Sequence, residues 1–251
     1  MVHKRTLHNH RVAIAERIFM EFGGTIKYGP FKEMILVDDA SDLNPDFSSM
    51  FFGCYEQELL HKLVGTPKSF EYFINLGAGD GYYPIGAIKS GIFKKAIAYE
   101  ASEVRRIQIK RLAEINNCQK NLDIRGFADE TCFDGYDSEF LSKSVVLSDI
   151  EGGEFKIFSE RNLAKLSKSI VIIEIHDFLV QDGPLKLEKL LENATKYFEI
   201  TKWTTTGRNP SLYQELQSFT DVDRWLSIVE GRGPLMLWLL LSPKEVSDID
   251  F

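Results

Sequence analysis

Four side chains capable of proton transfer or metal binding follow two apolar stretches of the sequence. Asp149 and Glu151 stand in SDIEGGE, and Glu174 and His176 end the apolar run VIIEIH. Because side chains alternate along a strand, Glu174 and His176 share one face of it. A carboxylate inside an aliphatic run is costly to bury unless a partner satisfies it. We therefore expect these four side chains to meet where two neighbouring strands end.

Two kinds of chemistry fit this group. In the first, His176 is the general base towards an acceptor hydroxyl, and Asp149 or Glu174 orients its ring. In the second, Asp149, Glu174 and His176 bind a divalent cation that acidifies the hydroxyl. A third interpretation involves no chemistry: Glu174 pairs with a buried arginine, and His176 only ends a strand. The sequence leaves all three open.

A glycine-rich segment, FINLGAGDGYYPIGAI, precedes this group in the chain. Gly77, Gly79 and Gly81 follow an apolar run and precede a helical pattern. Without Cβ atoms, such a turn lets a nucleotide-like ligand lie against the main chain at a helix N-terminus. A dinucleotide turn has a further glycine where Tyr82 stands here. The spacing therefore favours a shorter ligand without a pyrophosphate.

Two acidic residues follow the next two apolar strands. Glu100 ends AIAYE, where a carboxylate can accept hydrogen bonds from both hydroxyls of a ribose. Asp129, in GFAD, is placed to accept a hydrogen bond from an exocyclic amine such as that of adenine. In the alternative interpretation, the glycine turn only packs tightly and Glu100 is solvated. The predicted ligand-binding residues of these segments are Asn75, Gly77, Ala78, Gly79, Asp80, Gly81, Tyr82, Tyr83, Glu100, Ala101, Ala128, Asp129, Asp149 and Glu151.

Strands and helices alternate from residue 71 onward. Apolar strands are predicted at 72–76, 96–99, 121–127, 145–149 and 170–176, with helical patterns at 82–90, 103–116, 153–166 and 184–196. Strands that are apolar on both faces indicate a parallel sheet covered by helices on both sides. Two longer strands follow, in FEITKWTTTG and LMLWLLL. The predicted fold is a doubly wound, Rossmann-like α/β sheet, mostly parallel, with an antiparallel C-terminal strand.

The segment ahead of this sheet has a different pattern. Residues 9–22 are helical in pattern, and TIKYGPFKEMILVDD predicts two short strands around a Gly-Pro turn. We therefore expect a helical and hairpin extension at residues 1–60 and the sheet domain at residues 61–251. Tyr55 and Glu56, in GCYEQE, are predicted to close over the ligand as part of a lid.

Composition limits the remaining possibilities. The 251 residues carry a net charge of −7, which argues against binding nucleic acid through phosphate contacts. The three cysteines form no CxxC pair, so we expect a reducing, cytoplasmic location. The apolar run at 234–241 is too short to span a bilayer, and no signal-peptide pattern precedes the first helix. Membrane insertion is not expected, and the sequence does not address the oligomeric state.

The motifs together resemble a known group of enzymes. INLGAGDGYY, AIAYEAS, GFAD and LSDIEGGEF are similar to the successive motifs of class I S-adenosylmethionine-dependent methyltransferases. DIEGGE followed by IIEIHDF, with KYGPFKEMIL and GCYEQELL upstream, resembles the FkbM-type family over roughly residues 25–180. The resemblance implies S-adenosylmethionine as cofactor, with Asp149 and Glu151 near the methyl donor. It also implies O-methylation of a carbohydrate or other small molecule.

One residue departs from the family pattern. Asn75 stands where an acidic residue is usual. Its amide can still hydrogen-bond the amino-acid end of the cofactor, but it loses the charge pairing with the ammonium group.

The acceptor side of the sequence is less specific. Arg208, Asn209 and Arg232 lie in polar loops and are predicted to hold a polar or anionic acceptor such as a phosphosugar. Three alternative functions remain: methylation of protein or nucleic acid, a non-catalytic adenosine-binding or partner-binding module, and a dinucleotide oxidoreductase. DIEG stands where methyltransferases acting on base nitrogens have an NPPY-like tetrad, which disfavours a nucleic-acid acceptor.

Overall fold

A computed structural model describes residues 2–37, 43–233 and 235–244, with side chains from residue 6 onward. The described residues of Met1–Val64 and Thr206–Pro234 form one compact unit, here called the N-terminal unit. Those of Gly65–Thr205 and Leu235–Phe251 form a second, the sheet unit. The predicted division at residue 60 differs from these units, because residues 206–234 group with the N-terminal segment.

The sheet unit is built on seven strands in the order β3-β2-β1-β4-β5-β7-β6. They are β1 Tyr72–Leu76, β2 Lys95–Tyr99, β3 Leu122–Arg125, β4 Ser144–Ser148, β5 Ile170–Ile175, β6 Phe198–Thr204 and β7 Leu237–Pro243. β1 to β5 pair in parallel, and β7 is antiparallel to both β5 and β6. The predicted doubly wound, mostly parallel sheet with an antiparallel C-terminal strand is confirmed. The chain reverses its direction of winding at β1, which is where ligands bind in such sheets.

Helices accompany both units. They are α1 Val2–Phe22, α2 Phe47–Phe51, α3 Gln57–Gly65, α4 Tyr82–Lys89, α5 Glu103–Ile115, α6 Ser138–Ser142, α7 Glu154–Ile157, α8 Glu160–Lys165, α9 Gly183–Ala194 and α10 Asp221–Leu226. The single helix predicted at 153–166 is instead two, because Phe158 and Ser159 leave the helical conformation between α7 and α8. No helix among the described residues is long and apolar enough to cross a bilayer.

The two faces of the sheet bury different sets of side chains. Ile74 and Val146 belong to a core cluster that also takes in Leu163 of α8 and Leu190 of α9. On the opposite face, the ring of Phe73 stacks on Phe93 with centroids 5.2 Å apart. The carboxyl ends of the central strands are therefore held rigidly between two packed layers.

α5 packs against the sheet unit through its second half. Val104 and Ile107 are 67% and 60% exposed, whereas Ile109, Leu112 and Ala113 are buried. These three buried positions follow the i, i+3, i+4 spacing of one helical stripe.

The hairpin predicted in the N-terminal unit is present only as a short antiparallel turn without regular strands. An isolated antiparallel bridge joins Thr25 to Ile35. The amide of Ile26 donates to the carbonyl of Met34, and the amide of Glu33 donates to the carbonyl of Ile26, both over 2.9 Å. The amide of Lys27 instead donates to the carbonyl of Phe51, outside the turn, so the pairing does not extend into two strands.

Candidate functional site

The glycine turn between β1 and α4 is held in a left-handed conformation. Gly77, Gly79 and Gly81 have φ values of 80°, 54° and 88°. A Cβ atom at Gly77 would lie 1.8 Å from the carbonyl oxygen of Asp149, so the turn packs directly on the end of β4. At Gly79 the nearest atom would be Nη1 of Arg105, 3.7 Å away. The turn is thus closed on one side and open on the other.

A cavity of about 920 Å³ lies at this open side, near the upper end of the range for small-molecule sites. Eight of the predicted ligand-binding residues line it: Gly77, Gly79, Glu100, Ala101, Ala128, Asp129, Asp149 and Glu151. Asn75, Ala78, Asp80, Gly81, Tyr82 and Tyr83 belong to β1, the turn or α4 but do not line the cavity. Tyr55 and Glu56 lie in the N-terminal unit.

Glu100, just beyond the end of β2, is anchored against the glycine turn. One carboxylate oxygen accepts a hydrogen bond from the amide of Gly79 over 2.9 Å, and the other from the amide of Ser102 over 2.8 Å. The residue is only 7% exposed, yet it lines the cavity. A carboxylate has about four lone-pair positions, so two remain for ligand hydroxyl groups. This arrangement fits the predicted contact with a ribose.

The loop after β3 supplies a second polar group and an exposed ring. One carboxylate oxygen of Asp129 accepts hydrogen bonds from the amide and hydroxyl of Thr131, at 2.8 and 2.6 Å. These bonds lower the pKa of Asp129, which keeps it ionised. Phe127 lines the cavity and is 76% exposed. An exposed apolar ring beside a cavity is suited to cover a flat ligand.

The structure brings the predicted proton-transfer residues together. Nε2 of His176 lies 3.5 Å from a carboxylate oxygen of Asp149 and 3.5 Å from one of Glu174. His176 and Glu174 are buried, while the side chain of Asp149 is 37% exposed. Asp149 therefore links the buried pair to the cavity that it lines.

The protonation of this cluster follows from burial and neighbouring charge. Burial raises the pKa of Asp149, although a hydrogen bond with Glu174 and the charge of His176 act in the opposite direction. Burial lowers the pKa of His176, but the neighbouring carboxylates of Glu154, Asp149 and Glu151 outweigh it and raise the pKa. The surrounding carboxylates thus make the neutral imidazole of His176 a stronger base than a free imidazole.

Glu154 is part of this cluster, although from the sequence it is only one residue of the DIEGGE motif. It is fully buried at the start of α7. Its two oxygens accept hydrogen bonds from the backbone amides of His176, over 2.7 Å, and Gly152, over 2.9 Å. The signal for it in the sequence is a glutamate that directly follows two glycines, at the start of a helix.

The cation alternative has a slightly different set of ligands from the one predicted. Asp149, Glu151 and His176 each offer a ligand atom, and these atoms lie within 4.8 Å of one another. Glu151 takes the place that the prediction gave to Glu174. Two carboxylates and an imidazole suit several divalent cations. A cation at this position stays a prediction.

Asn75 has an unusual environment for an amide. It is 1% exposed, and in the part of the chain that the structure describes neither its oxygen nor its nitrogen has a hydrogen-bond partner. Buried polar groups are nearly always paired, so orphaned ones beside a cavity-lining turn are candidates for a ligand contact. This is consistent with the predicted contact to the amino-acid end of a cofactor.

The predicted acceptor-binding residues lie in the N-terminal unit, where internal contacts use the donors of Arg208. Its guanidinium donates to both carboxylate oxygens of Glu58 at 2.7 and 2.8 Å and to Glu230 at 2.6 Å. The remaining Nε–H donates to the carbonyl of Cys54 over 2.7 Å. Every donor nitrogen of Arg208 thus has a partner within the unit, and acceptor binding by Arg208 stays a prediction.

Arg232 and Asn209 are engaged in the same unit. Arg232 pairs with Glu56 and, over 3.0 Å, with Glu230, and its guanidinium lies 5.9 Å from the ring centre of Tyr55. Asn209 is exposed, and its side-chain oxygen accepts a hydrogen bond from the amide of Ser211. The charge of Arg232 is therefore balanced by glutamates of its own unit. Acceptor binding by Arg232 and Asn209 stays a prediction.

No protein-family model matches the chain, and no curated protein matches it. Three solved structures show a distant likeness. An O-methyltransferase of Bacillus cereus in complex with SAH is 12% identical, with 81% of this chain and 84% of that chain covered and a TM-score of 0.47. A ribosomal protein L11 methylase of Lactobacillus delbrueckii subsp. bulgaricus is 16% identical, with 76% and 80% covered and a TM-score of 0.46.

The third is the tRNA methyltransferase TrmK of B. subtilis, 12% identical, with 73% of this chain and 64% of that chain covered and a TM-score of 0.47. Identities and TM-scores at this level are too low to transfer an activity. We therefore base the function on the geometry of the site. Membership of the FkbM-type family stays a prediction.

Proposed function

We propose that the chain is an S-adenosylmethionine-dependent methyltransferase that methylates a hydroxyl group of a carbohydrate or other small molecule. The observation that carries the proposal is the anchoring of Glu100 by the amide of Gly79, at the open side of a left-handed glycine turn. This places a carboxylate with free lone pairs against exposed main chain, as an adenosyl ligand requires.

The cavity residues divide the binding of the adenosyl half between them. Glu100 would accept hydrogen bonds from the ribose hydroxyls, and the free oxygen of Asp129 from the exocyclic amine. Phe127 would cover the base, since base–aromatic stacking contributes roughly 1–3 kcal/mol. The orphaned amide of Asn75 would contact the amino-acid end. When bound, S-adenosylmethionine supplies an electrophilic methyl group on a sulfonium.

The carboxylate and imidazole cluster would handle the proton of the acceptor hydroxyl. Asp149 reaches the cavity, and His176 lies 3.5 Å behind it. The surrounding carboxylates stabilise an imidazolium, so His176 can hold a proton received from the acceptor directly or through Asp149. Glu174 completes the pair of carboxylates on Nε2. In the cation alternative, Asp149, Glu151 and His176 would instead hold a metal that acidifies the hydroxyl.

A thermal-shift comparison tests the ligand class. S-adenosylhomocysteine at about 100 times its dissociation constant should stabilise the protein by about 2.7 kcal/mol, and NAD should not. Glu100→Gln should weaken S-adenosylhomocysteine binding about ten- to a hundredfold, since a hydrogen bond to a charged group contributes about 1.5–3 kcal/mol. Glu103→Gln, the same change at an exposed position on α5, is the matched control. Stabilisation by NAD alone would instead support an oxidoreductase.

A labelled-methyl experiment tests the reaction. Protein supplied with methyl-labelled donor should transfer label to members of a pool of sugars and nucleotide sugars. Asp149→Asn should abolish this transfer while leaving S-adenosylhomocysteine binding in place. Labelling of added protein or nucleic acid, but not of the small molecules, would reassign the acceptor. Cofactor binding without transfer to any acceptor class would favour a non-catalytic module.

A further inference from the structure

We propose that Glu154 is the positioning residue of this site, fixing both the place and the tautomer of His176. The inference rests on the proposed function, because it assigns Glu154 a part in proton transfer. Glu154 is completely buried and contributes no wall to the cavity, so it acts through His176 and not on the ligand.

The carboxylate of Glu154 joins the ends of two neighbouring strands. Gly152 follows β4 and has a φ of 98°, and His176 follows β5. β4 and β5 pair in parallel, so their carboxyl ends lie side by side. One oxygen of Glu154 accepts a hydrogen bond from the amide of Gly152 over 2.9 Å, and the other accepts one from the amide of His176 over 2.7 Å. A single side chain therefore sets the spacing between the turn that carries Glu151 and the residue that carries the imidazole.

The same carboxylate also faces the imidazole ring. Its Oε1 lies 3.6 Å from Nδ1 of His176, and Nδ1 has no hydrogen-bond partner among the described residues. The other ring nitrogen, Nε2, lies 3.5 Å from both Asp149 and Glu174. A negative charge beside Nδ1 favours a proton on that nitrogen, which leaves Nε2 as the nitrogen that exchanges a proton on the cavity side. Glu154 thus determines which ring nitrogen of His176 exchanges a proton on the cavity side.

Two substitutions separate these effects. Glu154→Gln keeps the size of the side chain, removes the charge beside Nδ1 and replaces one accepting oxygen by an NH2 group, so one of the two backbone amides loses its acceptor. Glu154→Asp keeps the charge but shortens the reach to the two amides. The matched control is Glu188→Gln, the same chemical change at an exposed position on α9. If Glu154→Gln does not fold, Glu154→Asp carries the test alone.

The ring of His176 is the first readout. Its two nitrogens are observed by long-range ¹H–¹⁵N spectra at a single pH, with His176→Gln used for assignment among the five histidines. We expect Glu154→Gln to move the proton population from Nδ1 towards Nε2 and Glu188→Gln to leave the spectrum unchanged. Glu154→Asp should retain the Nδ1 proton and broaden or shift the ring signals. Wild-type ring signals in both Glu154 variants would overturn the proposal.

Turnover is the second readout. With an acceptor identified by methyl labelling, kcat should fall about a hundredfold in Glu154→Gln, the effect expected for about 1 Å of misplacement. KM and the affinity for S-adenosylhomocysteine should change less than twofold. Equal losses in kcat and cofactor affinity would show general disruption and contradict a positioning role. Absence of cofactor binding in the wild-type protein would instead contradict the proposed function. The ring spectra would still decide whether Glu154 fixes the tautomer of His176.

Discussion

Replacing Gly77 by alanine should destabilise the sheet unit more than the same replacement at Gly91. Both glycines have left-handed backbones, with φ values of 80° and 72°. A Cβ atom at Gly91 meets nothing within 4 Å, whereas at Gly77 it would lie 1.8 Å from the carbonyl oxygen of Asp149. The two variants therefore share the cost of the backbone conformation and differ in the collision.

The size of the difference follows from these geometries. A left-handed conformation costs a non-glycine residue about 1–2 kcal/mol. The lower entropy of the unfolded alanine chain offsets about 0.4–1 kcal/mol of this at both sites. Forcing an extra carbon into a packed site adds about 1–3 kcal/mol at Gly77 alone. At about 2–4 °C per kcal/mol for a chain of this size, Gly77→Ala should melt roughly 2–12 °C below Gly91→Ala.

Gly79→Ala completes the series and reports on the ligand. Its added carbon would meet only the end of the Arg105 side chain, 3.7 Å away, so its stability should match that of Gly91→Ala. Because Gly79 lines the cavity, the same methyl group should lower S-adenosylhomocysteine affinity about tenfold or more, equivalent to about 1.4 kcal/mol. Equal melting temperatures for Gly77→Ala and Gly91→Ala would refute the close packing of the turn on β4. Wild-type affinity in Gly79→Ala would refute the approach of the ligand to the main chain.

The remaining predictions concern both units. Arg208→Ala should lower the free energy of unfolding by about 3–5 kcal/mol, because it removes the arginine partner of Glu58 and one of the two arginine partners of the buried Glu230 side chain. Arg224→Ala, which breaks an exposed pair with Asp221, should cost less than about 1 kcal/mol in the same denaturation assay. Burial raises the pKa of Glu58, but the hydrogen bonds from Arg208 and Thr206 outweigh it and lower the pKa. The ionised carboxylate of Glu58 thus stabilises the fold above pH 4.5, the ordinary pKa of glutamate, and this stabilisation is lost as the pH falls through the lower pKa of the folded state. Glu58→Gln should therefore flatten the acid side of the stability–pH curve. His176→Gln should lower kcat about 10²- to 10⁴-fold without changing S-adenosylhomocysteine affinity. If a cation is used, EDTA should abolish transfer and Mg²⁺ or Mn²⁺ should restore it; full activity in EDTA would remove the metal alternative.

The sheet could be predicted because its signal is local. β1 agrees with the predicted 72–76, and β2 to β5 lie within one or two residues of their predicted bounds. Buried parallel strands appear in a sequence as short runs of β-branched residues, and glycines indicate the turn after β1, where the direction of winding reverses. Acidic residues that directly follow parallel strands lie at one edge of the sheet, so the sequence could predict that Glu100 and Asp149 are near the glycine turn.

Features that depend on distant residues could not be predicted. Arg208 reads as a polar loop residue, but its partner Glu58 is 150 positions earlier in the chain. Phe127 resembles any other core aromatic until the fold leaves it exposed beside the cavity. Glu154 gains its role only because β5 brings the amide of His176 to it. Periodicity identifies elements, but these contacts depend on how the elements pack.

A calorimetric titration of the folded wild-type protein with S-adenosylhomocysteine measures the central claim most directly. We expect a saturable 1:1 heat of binding that weakens in Glu100→Gln and is unchanged in Glu103→Gln. No heat of binding from well-folded protein, or equal affinity in Glu100→Gln, would contradict an adenosyl site between the glycine turn and Glu100.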